Sequence, residues 1–252
     1  MAHRADSTGV GWDALRQWGA DAARLEPLTG GTENEVWRVR LRGGDAVARL
    51  GTRSDADLHW ETQLLKHLDA LGSYVPVPLP TQDGRFFSDG MVVMTWLEGR
   101  IPETAQDWKR VADMLRAVHA ATGDWPQRPG WRSSQDLLHA ETGTRIDLGQ
   151  LPPDGAARCR AAWARLAGQA TAVIHGDPGA PNIRINGDKV GLIDWDEARV
   201  DVPDLDLALP DNAAGLSATD YDAARQAVSA WEAAVCWGGD YGWKRLAEVR
   251  DI

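Results

Sequence analysis

The chain has little cysteine, phenylalanine or tyrosine: two Cys, two Phe and three Tyr in 252 residues. Cys159 and Cys236 are too few and too far apart for a disulfide framework or a zinc site. Both are expected to be reduced thiols, buried or half-buried. No run of about 20 apolar residues exists, so no membrane span is expected. The N-terminus, Met1-Ala2-His3-Arg4-Ala5-Asp6, lacks the apolar stretch of a secretory signal, and a cytoplasmic location is expected. Basic charge is also short, with 27 Lys and Arg against 37 Asp and Glu, a formal net charge of −10. That deficit argues against a nucleic-acid partner, which needs clustered cations. A G-x4-G-K-[ST] segment is absent, which removes P-loop chemistry.

What is abundant is tryptophan, at 13 residues, within an apolar content of 43% and a charged content of 25%. These are the proportions of a globular chain with a sizeable core. Trp60, Trp108, Trp163 and Trp231 fall in segments of helical period and are expected in the core.

The first hundred residues predict mostly strands. A short helix is expected over Gly11 to Arg24, a strand from Leu25 to Thr29, and a break at Gly30-Gly31. Strands follow over Glu35–Leu41 and Ala46–Leu50, joined by the turn Arg42-Gly43-Gly44-Asp45. A helix is predicted from Asp57 to Leu71, with Leu58, Leu64, Leu65 and Leu68 on one face. Pro76, Pro78 and Pro80 enforce extended backbone. Phe86-Phe87 and Met91–Trp96 read as a further hairpin, for a total of five strands. After Trp96-Leu97-Glu98-Gly99 the pattern turns helical, with helices expected over Ala105–Ala121, Ala156–Gln169 and Tyr221–Cys236. Thr122 to Gln135 reads as irregular loop.

Embedded in this half is Val173-Ile174-His175-Gly176-Asp177-Pro178-Gly179-Ala180-Pro181-Asn182, followed by Gly191-Leu192-Ile193-Asp194-Trp195-Asp196. Phosphoryl transfer from a metal–nucleotide requires such a set. One carboxylate, Asp177, accepts the proton of the attacking hydroxyl; an amide oxygen, Asn182, and a second carboxylate, Asp194, hold a hard metal ion. Two apolar segments, Thr171–Ile174 and Val190–Ile193, are predicted strands that carry these groups to one site. His175 is expected to position the loop by hydrogen bonds.

His175-x-Asp177-x4-Asn182 with Ile193-Asp194-Trp195 resembles the aminoglycoside phosphotransferase family of small-molecule kinases, which share the protein-kinase fold. The resemblance spans roughly residues 25–210. It implies an α+β, bilobal, protein-kinase-like fold: an N-terminal antiparallel sheet lobe with one helix, residues 1–97, for the nucleotide, and a mostly helical catalytic and acceptor-binding lobe, residues 98–252. It implies Mg²⁺ on Asn182 and Asp194, and ATP or GTP as donor. Gly30, Gly31 and Thr32 would approach the phosphates, and Arg49, paired with Glu61, would hold them. Adenine would be received along Thr95, Trp96 and Leu97, and Asp206 would brace the catalytic loop. The implied activity is transfer of the γ-phosphate to a hydroxyl of a small molecule, such as a cationic antibiotic of the aminoglycoside type. A homoserine, choline or sugar kinase, or an inactive nucleotide-binding relative, is the alternative. A metal-dependent hydrolase is a weaker reading, because the further His and carboxylate ligands of a two-metal site are missing. Asp196, Glu197 and Asp211, in an acidic stretch interrupted only by Arg199, are candidates for binding a cationic acceptor.

Overall fold

The computed structural model describes residues 11–28, 34–143 and 145–250. The predicted glycine turn, with Gly30, Gly31 and Thr32, lies outside these residues. The chain divides into two compact units, one ending at Glu98 and one beginning at Gly99.

In the N-terminal unit four strands form an antiparallel sheet in the order β1-β2-β3-β4: Ala23–Pro27, Glu35–Leu41, Gly44–Leu50 and Met91–Thr95. Before β1 the chain makes a 3₁₀ helix at Trp12–Trp18, shorter than the helix expected through Arg24. The reason is local: Gly19 adopts φ 143°, and from Ala23 the backbone pairs with β2. Phe86-Phe87 forms no strand; Ser88 makes only an isolated bridge to Met91, so the fifth expected strand is missing among the described residues.

Strand alternation sorts the side chains of β3 onto two faces. Ala46 and Ala48 join Val39, Met91, Val93, Trp12 and Leu15 in one apolar cluster. Arg49, one step out of phase, projects to the other face and meets α1, Asp55–Ala70. That helix starts where Ser54 accepts a hydrogen bond from the Asp57 amide at 3.3 Å, and it buries Leu58, Leu64, Leu65 and Leu68.

The C-terminal unit is built on α2 (Ala105–Ala121), α3 (Pro153–Ala164), α4 (Asp204–Leu207), α5 (Ala218–Val235) and α6 (Asp240–Glu248). A capping box opens α2: Thr104 Oγ1 accepts from the Asp107 amide at 3.1 Å, and Asp107 Oδ2 accepts from the Thr104 amide at 3.1 Å. Helix α3 stops at Ala164, short of the predicted Gln169. Trp163 and Trp231 meet edge to face, ring centroids 6.3 Å apart, in a core with Leu137, Leu148, Cys159 and Ile174. Of the four tryptophans expected in the core, Trp60, Trp163 and Trp231 are buried and Trp108 is half-buried.

Both short strands expected around the motif form, at Ala172–Ile174 and Lys189–Leu192, each with its own partner. β5, Ala172–Ile174, pairs with β8, Arg199–Asp201, while β6, Ile183–Asn186, and β7, Lys189–Leu192, form their own hairpin. Cys159 is buried, but Cys236 is exposed, which corrects the expectation of two sheltered thiols. Among the described residues no helix is long and apolar enough to cross a membrane.

Candidate active site

The site residues of the C-terminal unit are brought together by one hairpin and one loop. In the β6–β7 register Ile183 faces Leu192. The next rung outward is Asn182 with Ile193, closed by the Ile193 amide donating to the Asn182 carbonyl at 2.9 Å. Asn182 and Asp194, 12 residues apart in sequence, therefore emerge side by side at the open end of the hairpin. Gly187, at φ 56°, begins the two-residue turn at the other end.

Asn182 also touches the candidate base. Its Nδ2 donates to Asp177 Oδ2 at 2.9 Å and to the Asp177 carbonyl at 3.0 Å. The amide oxygen consequently faces away from that carboxylate. Asp177 and Asp194 are exposed and Asn182 is half-buried.

His175 is fully buried and its ring nitrogens have distinct roles. Nε2 donates to the Ile193 carbonyl at 2.9 Å, and Nδ1 accepts from the Asp177 amide at 3.3 Å. That pattern suits the neutral Nε2–H tautomer. The ring packs edge-on against Trp195 at 4.9 Å. It therefore ties the loop carrying Asp177 to the strand end that precedes Asp194.

Beneath this loop sits Asp206, fully buried. Its Oδ2 accepts from the His175 amide at 2.7 Å and its Oδ1 from the Gly176 amide at 2.9 Å. His119, at the end of α2, lies 3.0 Å from Oδ2 through Nε2. Burial pushes the Asp206 carboxyl up, but the hydrogen bond and charge of His119 together with the amide donors bring it below its ordinary value. His119 was not singled out in the sequence, where a histidine in a last helical turn looks like any favourable dipole partner. Gly176 has φ 86°, and a Cβ there would lie 2.5 Å from the Glu197 carbonyl, so glycine is required on both counts.

Asp194 has φ 63° and ψ 70°, left-handed backbone that costs a non-glycine residue about 1–2 kcal/mol. The surrounding contacts must hold it there. The segment that follows is fastened by two buried arginines. Arg128 Nη1 donates to the carbonyls of Asp196 and Ala198, both at 2.8 Å. Arg199 pairs with Asp201 at 3.0 Å and donates to the Glu197 carbonyl at 3.1 Å. Glu197 itself is ion-paired with Arg145. The acidic stretch, within which Arg199 is the one basic residue in sequence, is thus also laced with cations from distant parts of the chain. Asp196 is half-buried; Asp211 is exposed, in left-handed backbone at φ 52°.

In the N-terminal unit Arg49 and Glu61 form a buried ion pair at 2.6 Å. Arg53, which the sequence reading did not include, pairs with the same Glu61 carboxylate. Thr95 ends β4; its amide donates to the Val77 carbonyl and its Oγ1 accepts from the Val77 amide, both at 2.9 Å. Its own N–H is therefore used inside the unit. Trp96 packs under the Arg38 guanidinium at 4.9 Å, and Leu97 is buried.

Mg²⁺ favours hard oxygen donors and keeps several water or phosphate ligands. An amide oxygen and a carboxylate projecting to solvent from adjacent hairpin positions suit such an ion. Among the described residues no group of three or more His, Cys, Asp or Glu could hold a metal.

An antiparallel sheet with one helix, followed by a mostly helical unit carrying the candidate Asp–Asn–Asp set, is an α+β fold of the protein-kinase-like class. Residues 24–248 match the phosphotransferase enzyme family, and the chain belongs to that family. It is 31% identical over 205 residues, 73% of the chain, to a homoserine kinase of Allorhizobium ampelinum, and spans 62% of that relative's length. Its fold is similar to that of the aminoglycoside phosphotransferase APH(4)-Ia in complex with ADP and hygromycin B. There the TM-score is 0.66 at 14% identity, covering 96% of this chain and 97% of the other. It is similar also to choline kinase LicA of Streptococcus pneumoniae, with TM-score 0.62 at 16% identity, covering 89% and 92% of the two chains.

Proposed function

We propose that the protein transfers the γ-phosphate of ATP or GTP to a hydroxyl group of a small molecule. The observation that carries this reading is the joint held by Asn182. Its backbone pairs with the strand leading into Asp194, and its side chain holds Asp177, so base and metal ligands keep one spacing. Asp177 Oδ1 would receive the hydroxyl proton late in a loose transition state, a task for which an ordinary carboxylate suffices. Asn182 Oδ1 and Asp194 would hold Mg²⁺, which when bound neutralises charge on the phosphates. Arg49, fixed by Glu61, would grip phosphate oxygens in its planar fork. With the Thr95 amide engaged, adenine recognition falls to the backbone of Trp96 and Leu97. Gly30, Gly31 and Thr32 are proposed to approach the phosphates on their sequence alone.

The acceptor in this reading is an alcohol bearing an ammonium group, with Asp196 and Asp211 supplying attraction. Glu197 contributes less, because Arg145 already neutralises it. Homoserine and choline, named for two of the similar kinases, are alcohols of this kind. Whether the role is antibiotic inactivation or primary metabolism depends on the acceptor, and either would take place in the cytoplasm.

A coupled assay with ATP or GTP against homoserine, choline, aminoglycosides and neutral sugars tests both levels. Turnover of a cationic acceptor is expected, with kcat/KM falling as salt rises at saturating nucleotide. A neutral acceptor turned over fastest would refute the charge argument. Absence of turnover together with intact nucleotide binding would favour the inactive relative.

A further inference from the structure

The irregular segment between α2 and the first short 3₁₀ turn of the C-terminal unit contains Trp125-Pro126-Gln127-Arg128-Pro129-Gly130-Trp131. The carboxamide of Gln127 acts as a substitute strand for Val200. Its Nε2 donates to the Val200 carbonyl at 2.8 Å and its Oε1 accepts the Val200 amide at 3.0 Å. The same Oε1 accepts the Arg128 amide at 2.8 Å, which locks the two side chains in sequence.

Arg128 reaches the stretch just before. Nη1 lies 3.3 Å from the Trp195 carbonyl and 2.8 Å from those of Asp196 and Ala198. The guanidinium is only 1% exposed and lies 4.7 Å from the Trp131 ring centroid. A turn sets that stacking: Pro129 and Gly130, the latter at φ 82°, allow the Trp131 amide to donate to the Arg128 carbonyl at 3.0 Å. Burying a guanidinium is costly unless its donors are met, and here Nη1 is met by the backbone carbonyls of Trp195, Asp196 and Ala198, in the segment after Asp194.

We infer that Gln127 and Arg128 are positioning residues that hold the Asp194 loop in its metal-binding conformation. The inference rests on the proposed metal role of Asp194 but concerns a different part of the chain. Asp194 sits in left-handed backbone, and residues 195–200 are clasped at four carbonyls and one amide by two neighbouring side chains 67–73 positions away in sequence. In a kinase whose metal loop moves between states such a clasp would be a hindrance. Here it makes the loop permanently ready, with the metal ligand placed before nucleotide arrives.

Gln127→Ala, Arg128→Lys and Asp194→Ala are compared with the parent. Amide exchange of residues 195–200 is read by mass spectrometry without metal or nucleotide, and ATP affinity by calorimetry with and without Mg²⁺. Gln127→Ala and Arg128→Lys are expected to keep the parent far-UV spectrum, to exchange at least tenfold faster over 195–200, and to lose about tenfold in the Mg²⁺-dependent part of ATP affinity. Affinity without Mg²⁺ should be unchanged. If Asp194→Ala loses the Mg²⁺-dependent part while both clasp variants retain it, the inference is overturned and the metal assignment stands. If Asp194→Ala itself retains it, the metal role fails and the inference falls with it. Should Arg128→Lys not fold, Gln127→Ala alone decides, since it removes only a half-buried carboxamide.

Discussion

Replacing Asp206 by alanine should be among the most damaging single changes in the C-terminal unit. Its carboxylate accepts from the buried His175 amide, the Gly176 amide and His119 Nε2, at 2.7, 2.9 and 3.0 Å. Each hydrogen bond to a charged group contributes about 1.5–3 kcal/mol, but the three share one site and do not add. Removing one member of a buried charged network costs about 3–5 kcal/mol, chiefly through the donors left without acceptors. At about 2–4 °C per kcal/mol for a unit of this size, Tm should fall by about 6–20 °C. Asp206→Asn keeps one oxygen but turns an NH₂ group toward one of the donors, so it should fall between alanine and the parent.

The same group sets a pH dependence. Its folded-state carboxyl lies below the ordinary value, so below about pH 4 the unfolded chain binds more protons than the folded one. The contribution is complete above that range and is lost as pH falls through the folded value. Urea unfolding followed by circular dichroism at pH 7 and at pH 3 to 4 checks both parts. An alanine variant within about 1 kcal/mol of the parent at pH 7 would refute the reasoning. An Asp206→Asn variant with the same acid dependence as the parent would refute the linkage.

Asp194→Ala should abolish the Mg²⁺-dependent part of ATP affinity while Asp177→Ala largely keeps it; equal losses in calorimetric titration would mean their roles are misassigned. Arg49→Ala should raise the KM for ATP with little change for the acceptor. Glu61→Ala, which removes the buried carboxylate shared by Arg49 and Arg53, should in addition cost about 3–5 kcal/mol in urea unfolding. If Glu61→Ala altered neither nucleotide KM nor stability, the pair would have no part in holding the phosphates. Burial pushes the Cys159 thiol up to about 11, whereas Cys236 is exposed. Titration with an aromatic disulfide at pH 8 should therefore find one fast thiol in the native protein and two after denaturation; two fast thiols would contradict the packing of Cys159 between α3 and α5.

Local features of the fold were legible because their causes are local. The 3.6-residue spacing of Val111, Leu115 and Val118, opened by Thr104 and Asp107, specifies α2 without help from elsewhere. Alternation specifies β2 and β3, and β-register follows from the turn between them. The Asp177-x4-Asn182 spacing with Asp194 beyond it was visible for the same reason: a loop and a hairpin are short-range objects. What no local pattern contained were partners brought from far along the chain. His119 meets Asp206 across 87 positions, Gln127 meets Val200 across 73, and Arg145 meets Glu197 across 52. Arginine, glutamine and histidine at such places look like solvated surface residues until packing removes the water around them, and only then do their hydrogen bonds acquire strength. The pairing of β5 with β8 belongs to the same class: three apolar residues state that a strand can form at Ala172–Ile174, and it is the surrounding core that selects Arg199–Asp201 as its partner, whereas the two-residue turn itself pairs β6 with β7. The family and the local elements of the fold were thus written in the sequence. Tertiary structure decided which buried cations and amides hold those groups still, because long-range contacts are chosen by the whole packed unit and by no segment of it alone.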